Sequence, residues 1–122
     1  MSIRKAATVL IINNGLFLGV SRKDNHSSFG LPGGKLEEGE SYEKAAIRET
    51  LEETGVIIKD LMPVFERSDG EFNTVTFMPN EIDISNMESK EGAIVKWCSR
   101  EELESGIFGE YNKRLFEKLS KV

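Results

Sequence analysis

Apolar residues fall in short, β-branched runs over most of the chain and switch to helical spacing in a few places. Ile3–Ile12 (IRKAATVLII) predicts a strand, Asn13-Asn14-Gly15 a hairpin turn, and Leu16–Arg22 (LFLGVSR) the partner strand. Lys23–Gly34 (KDNHSSFGLPGG) reads as a loop from its Asp, Asn, Ser, Gly and Pro content. Ser41 can cap a helix running to Thr54, with Gly55 where a left-handed C-terminal cap belongs. Val56–Arg67 and Glu71–Met78 predict strands around a turn at Ser68-Asp69-Gly70, and Ala93–Ser99 predicts another. Ser99 and Glu102 form a capping-box signature for a short helix. Phe108, Tyr111, Leu115 and Leu119 at helical spacing predict an amphipathic C-terminal helix. Strands interspersed with helices imply an α/β fold with a mixed sheet covered by helices.

Length and charge narrow this picture. At 122 residues the chain is expected to form one domain, 1–122, with a core but no room for a second. No apolar run approaches the roughly 20 residues needed to cross a bilayer, and the N-terminus lacks a signal peptide's small-residue cleavage site. The single cysteine, Cys98, closes no intrachain disulfide, so a reducing, cytoplasmic setting is expected. A net charge of −5 repels long nucleic acids and anionic membranes. A phosphate-bearing ligand then needs a local reversal of sign.

Candidate chemistry concentrates on the helix. Taking Glu49 as the zero of the wheel at roughly 100° per residue, Glu53 lies about 40° to one side and Glu52 about 60° to the other. Ile47 and Leu51 lie near the opposite pole and are expected to bury themselves, while Ala45 and Ala46 keep the acidic face uncluttered. Like charges at this spacing repel by about 0.2–0.5 kcal/mol per pair. Three converging carboxylates suit a hard cation such as Mg²⁺ or Mn²⁺. On the helix alone, a solvated acidic face explains them equally well.

The preceding loop changes that balance. From Gly34 to Val56 the chain matches G-x5-E-x7-R-E-U-x-E-E-x-G-U, U being a bulky aliphatic residue, with the fixed letters on Gly34, Glu40, Arg48, Glu49, Glu52, Glu53 and Gly55. At this chain's composition a chance match is on the order of 10⁻⁵. The pattern resembles the Nudix box of hydrolases acting on a nucleoside diphosphate linked to another group. Phe29–Ser41 is similar to the entry of the box in the MutT-like branch, and Glu91–Leu103 to the later Glu, strand, Trp and short helix of these domains. Thr50 stands where the family usually has an aliphatic residue, which weakens packing there.

The resemblance implies an α/β/α sandwich, a mixed β-sheet between helices, and metal-dependent hydrolysis of a pyrophosphate bond, with a homodimer plausible by the same likeness. It implies Glu49, Glu52 and Glu53 as metal ligands, with the Gly34 carbonyl as a further one. The cation is expected to be Mg²⁺, with Mn²⁺ able to substitute. Arg48 is expected to orient a carboxylate through a bidentate pair, and Glu40 to support the site from the helix entrance. Glu91 matches the place of an additional ligand or general base, with Glu88 as the substitute and an exposed loop Glu as the alternative. Arg22, Lys23 and Lys35 are candidates for the substrate phosphates; each is otherwise a solvated cation. Phe29, Phe77 and Trp97 either stack on a base or belong to the core. His26 reads as a polar loop residue.

Rival motifs are missing: there is no G-x4-G-K-[ST] and no H-E-x-x-H. The short chain and the MutT-like loop favour a small-molecule partner, a (deoxy)nucleoside triphosphate cleaved to monophosphate and pyrophosphate. Nucleotide sugars, ADP-ribose and RNA 5′ ends stay open, as does a nucleotide sensor without turnover. The base is not readable.

Overall fold

Two tight hairpins organise the chain. In the computed structural model, which describes residues 3–90 and 92–120, Asn14 (φ 52°) and Gly15 (φ 77°) form a two-residue loop with both residues left-handed. That loop matches the twist of the flanking strands. It joins β2 (Ile12–Asn13) to β3 (Leu16–Ser21), after β1 (Arg4–Val9). Leu10 and Ile11, expected inside one continuous strand, are instead a buried break between β1 and β2. The second hairpin pairs β6 (Ile57–Asp69) with β7 (Phe72–Asp83) around Gly70-Glu71. Both strands outrun the apolar pattern because each supplies the other's ladder, which outweighs weak local propensity. β6 is an edge strand, and Pro63 sits there at a register shift, where a missing N–H is tolerated.

The first sheet has the order β5 (Gly33–Lys35), β1, β7, β6, with β1 parallel to β7 and the other pairs antiparallel. In the second sheet β3 pairs with β2, with β4 (Phe29–Gly30) and with β8 (Val95–Cys98). Strands β4 and β5 (Gly33–Lys35) arise inside the segment expected to be loop. Their glycines carry no strand propensity; pairing with β3 and β1 recruits them.

Alternation along the strands separates two cores. Ala7, Val9, Val75 and Phe77 pack with Ala45 and Ala46 of α1 (Tyr42–Thr54). The opposite face carries Thr8 and Thr76, and the Tyr111 hydroxyl of α3 (Gly109–Ser120) reaches Thr76 at 2.6 Å. Leu10, Phe29 and Cys98 pack with Leu103 of α2 (Arg100–Glu104) and Phe116 of α3. Helices therefore cover both faces of a mixed sheet. No helix among the described residues is long and apolar enough to cross a membrane.

Candidate active site

Local chemistry places α1 closely. The Ser41 hydroxyl accepts from the Lys44 N–H at 3.1 Å, and Gly55 (φ 76°) closes the other end. The orientation of the helix differs from the wheel-based expectation. Ala45, Ala46, Thr50 and Thr54 face the sheet and are fully buried, whereas Leu51 is 44% exposed and Ile47 is only partly buried. Glu49 and Glu53, one turn beyond Ala45, Ala46 and Thr50, extend the buried stripe rather than opposing it. They lie beside the sheet and are only partly exposed.

That proximity comes through Gly33 and Gly34. Gly33 has φ 150°, and a Cβ there would lie 2.1 Å from the Ala7 carbonyl oxygen. A Cβ on Gly34 would lie 2.7 Å from the carboxylate carbon of Glu49. Only glycine at position 33 lets β5 lie against β1, and glycine at position 34 leaves room for the Glu49 carboxylate. The Gly33 N–H donates to Glu53 Oε1 at 2.9 Å.

Arg48 relieves the crowded charge. Its Nε and Nη2 donate to the two oxygens of Glu40 at 2.8 and 2.9 Å, a bidentate pair. Its Nη1 reaches Glu49 at 2.8 Å and Glu52 at 3.2 Å, and Glu37 lies 3.0 Å from Nε. The predicted repulsion among Glu49, Glu52 and Glu53 is thus offset from within the helix. The Arg48 guanidinium, helped by the Glu37 N–H, pulls the Glu40 carboxyl down to about 2, and the same carboxylates raise Arg48.

With Glu49 and Glu52 turned to Arg48 and Glu53 to Gly33, the expected convergence of three carboxylates on one point is not reached. Among the described residues no three His, Cys, Asp or Glu groups stand close enough to hold an ion in these rotamers. The donor set nevertheless fits a hard divalent cation. It is all oxygen, and the space a Cβ would fill at Gly34 is taken by the Glu49 carboxylate, beside the backbone of that loop. Rotation of flexible Glu side chains is the remaining requirement.

The carboxylates line a cavity of about 590 Å³ together with Arg22, Lys23 and Asp24. A second cavity of about 660 Å³ lies between the first sheet and α3, walled by Phe72, Phe108 and Tyr111. The two share Leu31, Gly33, Ile107 and Phe108 as a common wall. Thr8 and Tyr111 line the second cavity, and behind them the buried Thr76 hydroxyl lies 2.7 Å from that of Thr8 and meets the Tyr111 hydroxyl, which also reaches the Thr74 carbonyl at 3.3 Å. Burial pushes the Tyr111 phenol up to about 12, so it stays a donor at neutral pH.

Several expected site residues land elsewhere. Phe29 is a core residue, 5% exposed with Lys96 over its ring, and has no face to offer a base. Phe77 is likewise buried, and Trp97 packs against the same core. Lys35 lies on the second cavity, its ammonium over the Phe72 ring, while its carbonyl accepts from Arg48 at 3.3 Å. Glu91 lies outside the described residues. Glu88 lies beside α1's C-terminus, its N–H on the Thr54 carbonyl at 2.9 Å, off the carboxylate cavity. His26 is an exposed loop residue whose Nε2 lies 2.8 Å from the Gly92 carbonyl oxygen. Phe108, expected on the apolar stripe of the last helix, precedes α3 and is 58% exposed in the wall between the cavities. The one hint in the sequence is Gly106-Ile107-Phe108-Gly109, an apolar pair between glycines. Asp24 had no such signal.

A family model described as the NUDIX domain matches residues 2–119. The chain is also similar in structure to a MutT NUDIX hydrolase from Burkholderia pseudomallei, at TM-score 0.78 and 19% identity over 97% of this chain and 98% of that one. A MutT structure from work on Aliivibrio salmonicida and Vibrio cholerae gives TM-score 0.79 and 22% identity over 99% and 100%. A MutT protein from Bacillus halodurans gives 0.71 and 20% over 93% and 80%. At such identities the structural likeness speaks for the fold, and the domain match for the family.

Proposed function

The chain belongs to the Nudix family of pyrophosphate-bond hydrolases, and from that premise we propose that it cleaves a (deoxy)nucleoside triphosphate to monophosphate and pyrophosphate, with Mg²⁺ as cofactor and Mn²⁺ as a substitute. The observation that carries this reading is the pairing of the two cavities across Gly33: carboxylates and cations on one side, ring faces and hydroxyls on the other. A polyphosphate suits the first and a nucleoside the second, which makes a single elongated ligand the economical occupant.

In this reading Glu49, Glu52, Glu53 and the Gly34 carbonyl hold the cation, which when bound supplies charge neutralisation and acidified water. Arg48 holds Glu49 and Glu52 on the cavity side of the helix and is itself held by Glu40. Arg22 and Lys23 meet the phosphates and, together with the cation, offset the carboxylates of that cavity. Phe108 offers a ring face to the base, and Phe72, its ring under Lys35, walls the groove beside it. Glu91 remains our candidate for the general base, following the family pattern.

A panel of nucleoside and deoxynucleoside triphosphates, ADP-ribose and nucleotide sugars, assayed with Mg²⁺ and with Mn²⁺ and resolved by product, tests this. Monophosphate and pyrophosphate from a triphosphate is the expected result. Preference for a diphosphate diester would move the substrate class. Binding of nucleotides without turnover of any would favour a sensor, against which the complete set of box carboxylates already speaks.

A further inference from the structure

Arg22, the guanidinium lining the charged cavity, is already engaged. Its Nε and Nη2 donate to the two carboxylate oxygens of Asp24 at 2.8 and 3.0 Å. This is the forked grip with which a guanidinium holds a phosphate. Asp24 lines the same cavity, so its charge stands where substrate charge is to be accommodated.

The loop fixes this arrangement. The Arg22 N–H donates to the Ser28 carbonyl at 2.9 Å, and the Ser28 N–H to the Asn25 carbonyl at 3.1 Å. The Asn25 side chain caps the turn through the Ser27 N–H at 2.9 Å. His26 ties the loop to Gly92, and the Ser28 hydroxyl accepts from the Ile107 N–H at 3.1 Å. The short path from Arg22 to Asp24 therefore belongs to a turn anchored on both flanks.

We propose that Asp24 is a built-in competitor of the substrate's phosphates for Arg22, and so sets substrate affinity. The inference rests on reading the charged cavity as the polyphosphate site. Both side chains are exposed to solvent, so their mutual attraction is weak and a more highly charged phosphate displaces the carboxylate readily. The displacement and the residual repulsion both weaken binding.

The test is a double-mutant cycle of Asp24→Asn and Arg22→Ala, read by KM for the best-turned-over nucleoside triphosphate and by calorimetric Kd for inorganic pyrophosphate with Mg²⁺. Asp24→Asn is expected to lower both by about two- to fivefold, the size of effect an exposed ion pair permits. In the Arg22→Ala background the same substitution should lower them by less than in the parent, since only the relief of repulsion is left, and an equal effect in both backgrounds would overturn the competition for Arg22. An unchanged or raised KM and Kd in Asp24→Asn would overturn the proposal, a raised value meaning that Asp24 positions Arg22. If Arg22→Ala alone also binds pyrophosphate as the parent does, the polyphosphate reading of the cavity fails with it; if Arg22→Ala weakens binding, that reading stands and only the competitor role is lost.

Discussion

The two cavities that meet at Gly33 differ in how a ligand would be held. The first works through charge: Glu49, Glu52 and Glu53 with Arg48 behind them, and Arg22 and Lys23 on its lining. Under the proposed function its interactions would strengthen as charge develops on the reacting phosphate. The second would work through ring faces and the side chains of Thr8 and Tyr111 on its lining, which treat ground state and transition state alike. Substitutions at the carboxylates of the first should therefore act on turnover, and those in the second on affinity.

The sharpest break of this contrast is Glu53→Gln, which keeps the shape and removes a charge. Turnover should fall by at least about a hundredfold, measured as pyrophosphate release with Mg²⁺, if the carboxylate holds the cation. Unchanged turnover would show the ligand assignment to be wrong. Gly34→Ala comes next. Its Cβ would meet the carboxylate carbon of Glu49 at 2.7 Å, and a flexible Glu can swing aside, so the fold should survive. The metal concentration for half-maximal activity and for thermal stabilisation should rise about tenfold.

Phe108→Ala probes the other cavity. Stacking on a base is worth about 1–3 kcal/mol, so KM should rise about tenfold while kcat changes little. A fall in kcat instead would erase the division between the cavities. Thr50→Val should have no effect on either constant but should stabilise the fold by about 1 kcal/mol in urea denaturation. The Thr50 hydroxyl is buried without a hydrogen-bond partner among the described residues.

Glu40→Gln tests how the charged cavity is braced. Pairing lowers the Glu40 carboxyl from 4.5 to about 2 in the folded protein, so its contribution to stability is present above pH 4.5 and lost as pH falls towards 2. The deficit of Glu40→Gln should be complete at pH 7 and should shrink between pH 4.5 and 2. A constant deficit across that range would mean the residue acts through packing.

Much of the charged cavity was legible because it is local. Gly34, Glu40, Arg48, Glu49, Glu52 and Glu53 lie within one loop and one helix, so spacing alone brings them together, and the caps Ser41 and Gly55 mark the helix ends. The same local reading turned the helix the wrong way. It buried Leu51 instead of Ala45 and Ala46, because which face a helix hides depends on what packs against it. Thr50, read as a weak packing position, is fully buried beside the carboxylates for the same reason.

The second cavity was scarcely legible. Its walls come from β1, β7, the segment before α3 and α3 itself, joined by the parallel pairing of β1 with β7, which no local pattern announces. Phe29 and Phe108 show the consequence: the sequence offers both as aromatic residues, and tertiary packing buries the first and exposes the second. What the sequence by itself determined was the family, the helix that carries the carboxylates and the glycines that let a strand approach them, since backbone sterics and helical spacing act over a few residues. Tertiary structure alone decided which side of that helix is inside and that an apolar groove opens beside the charged one. Those outcomes depend on contacts between segments far apart in the chain, where burial and pairing outweigh local preference.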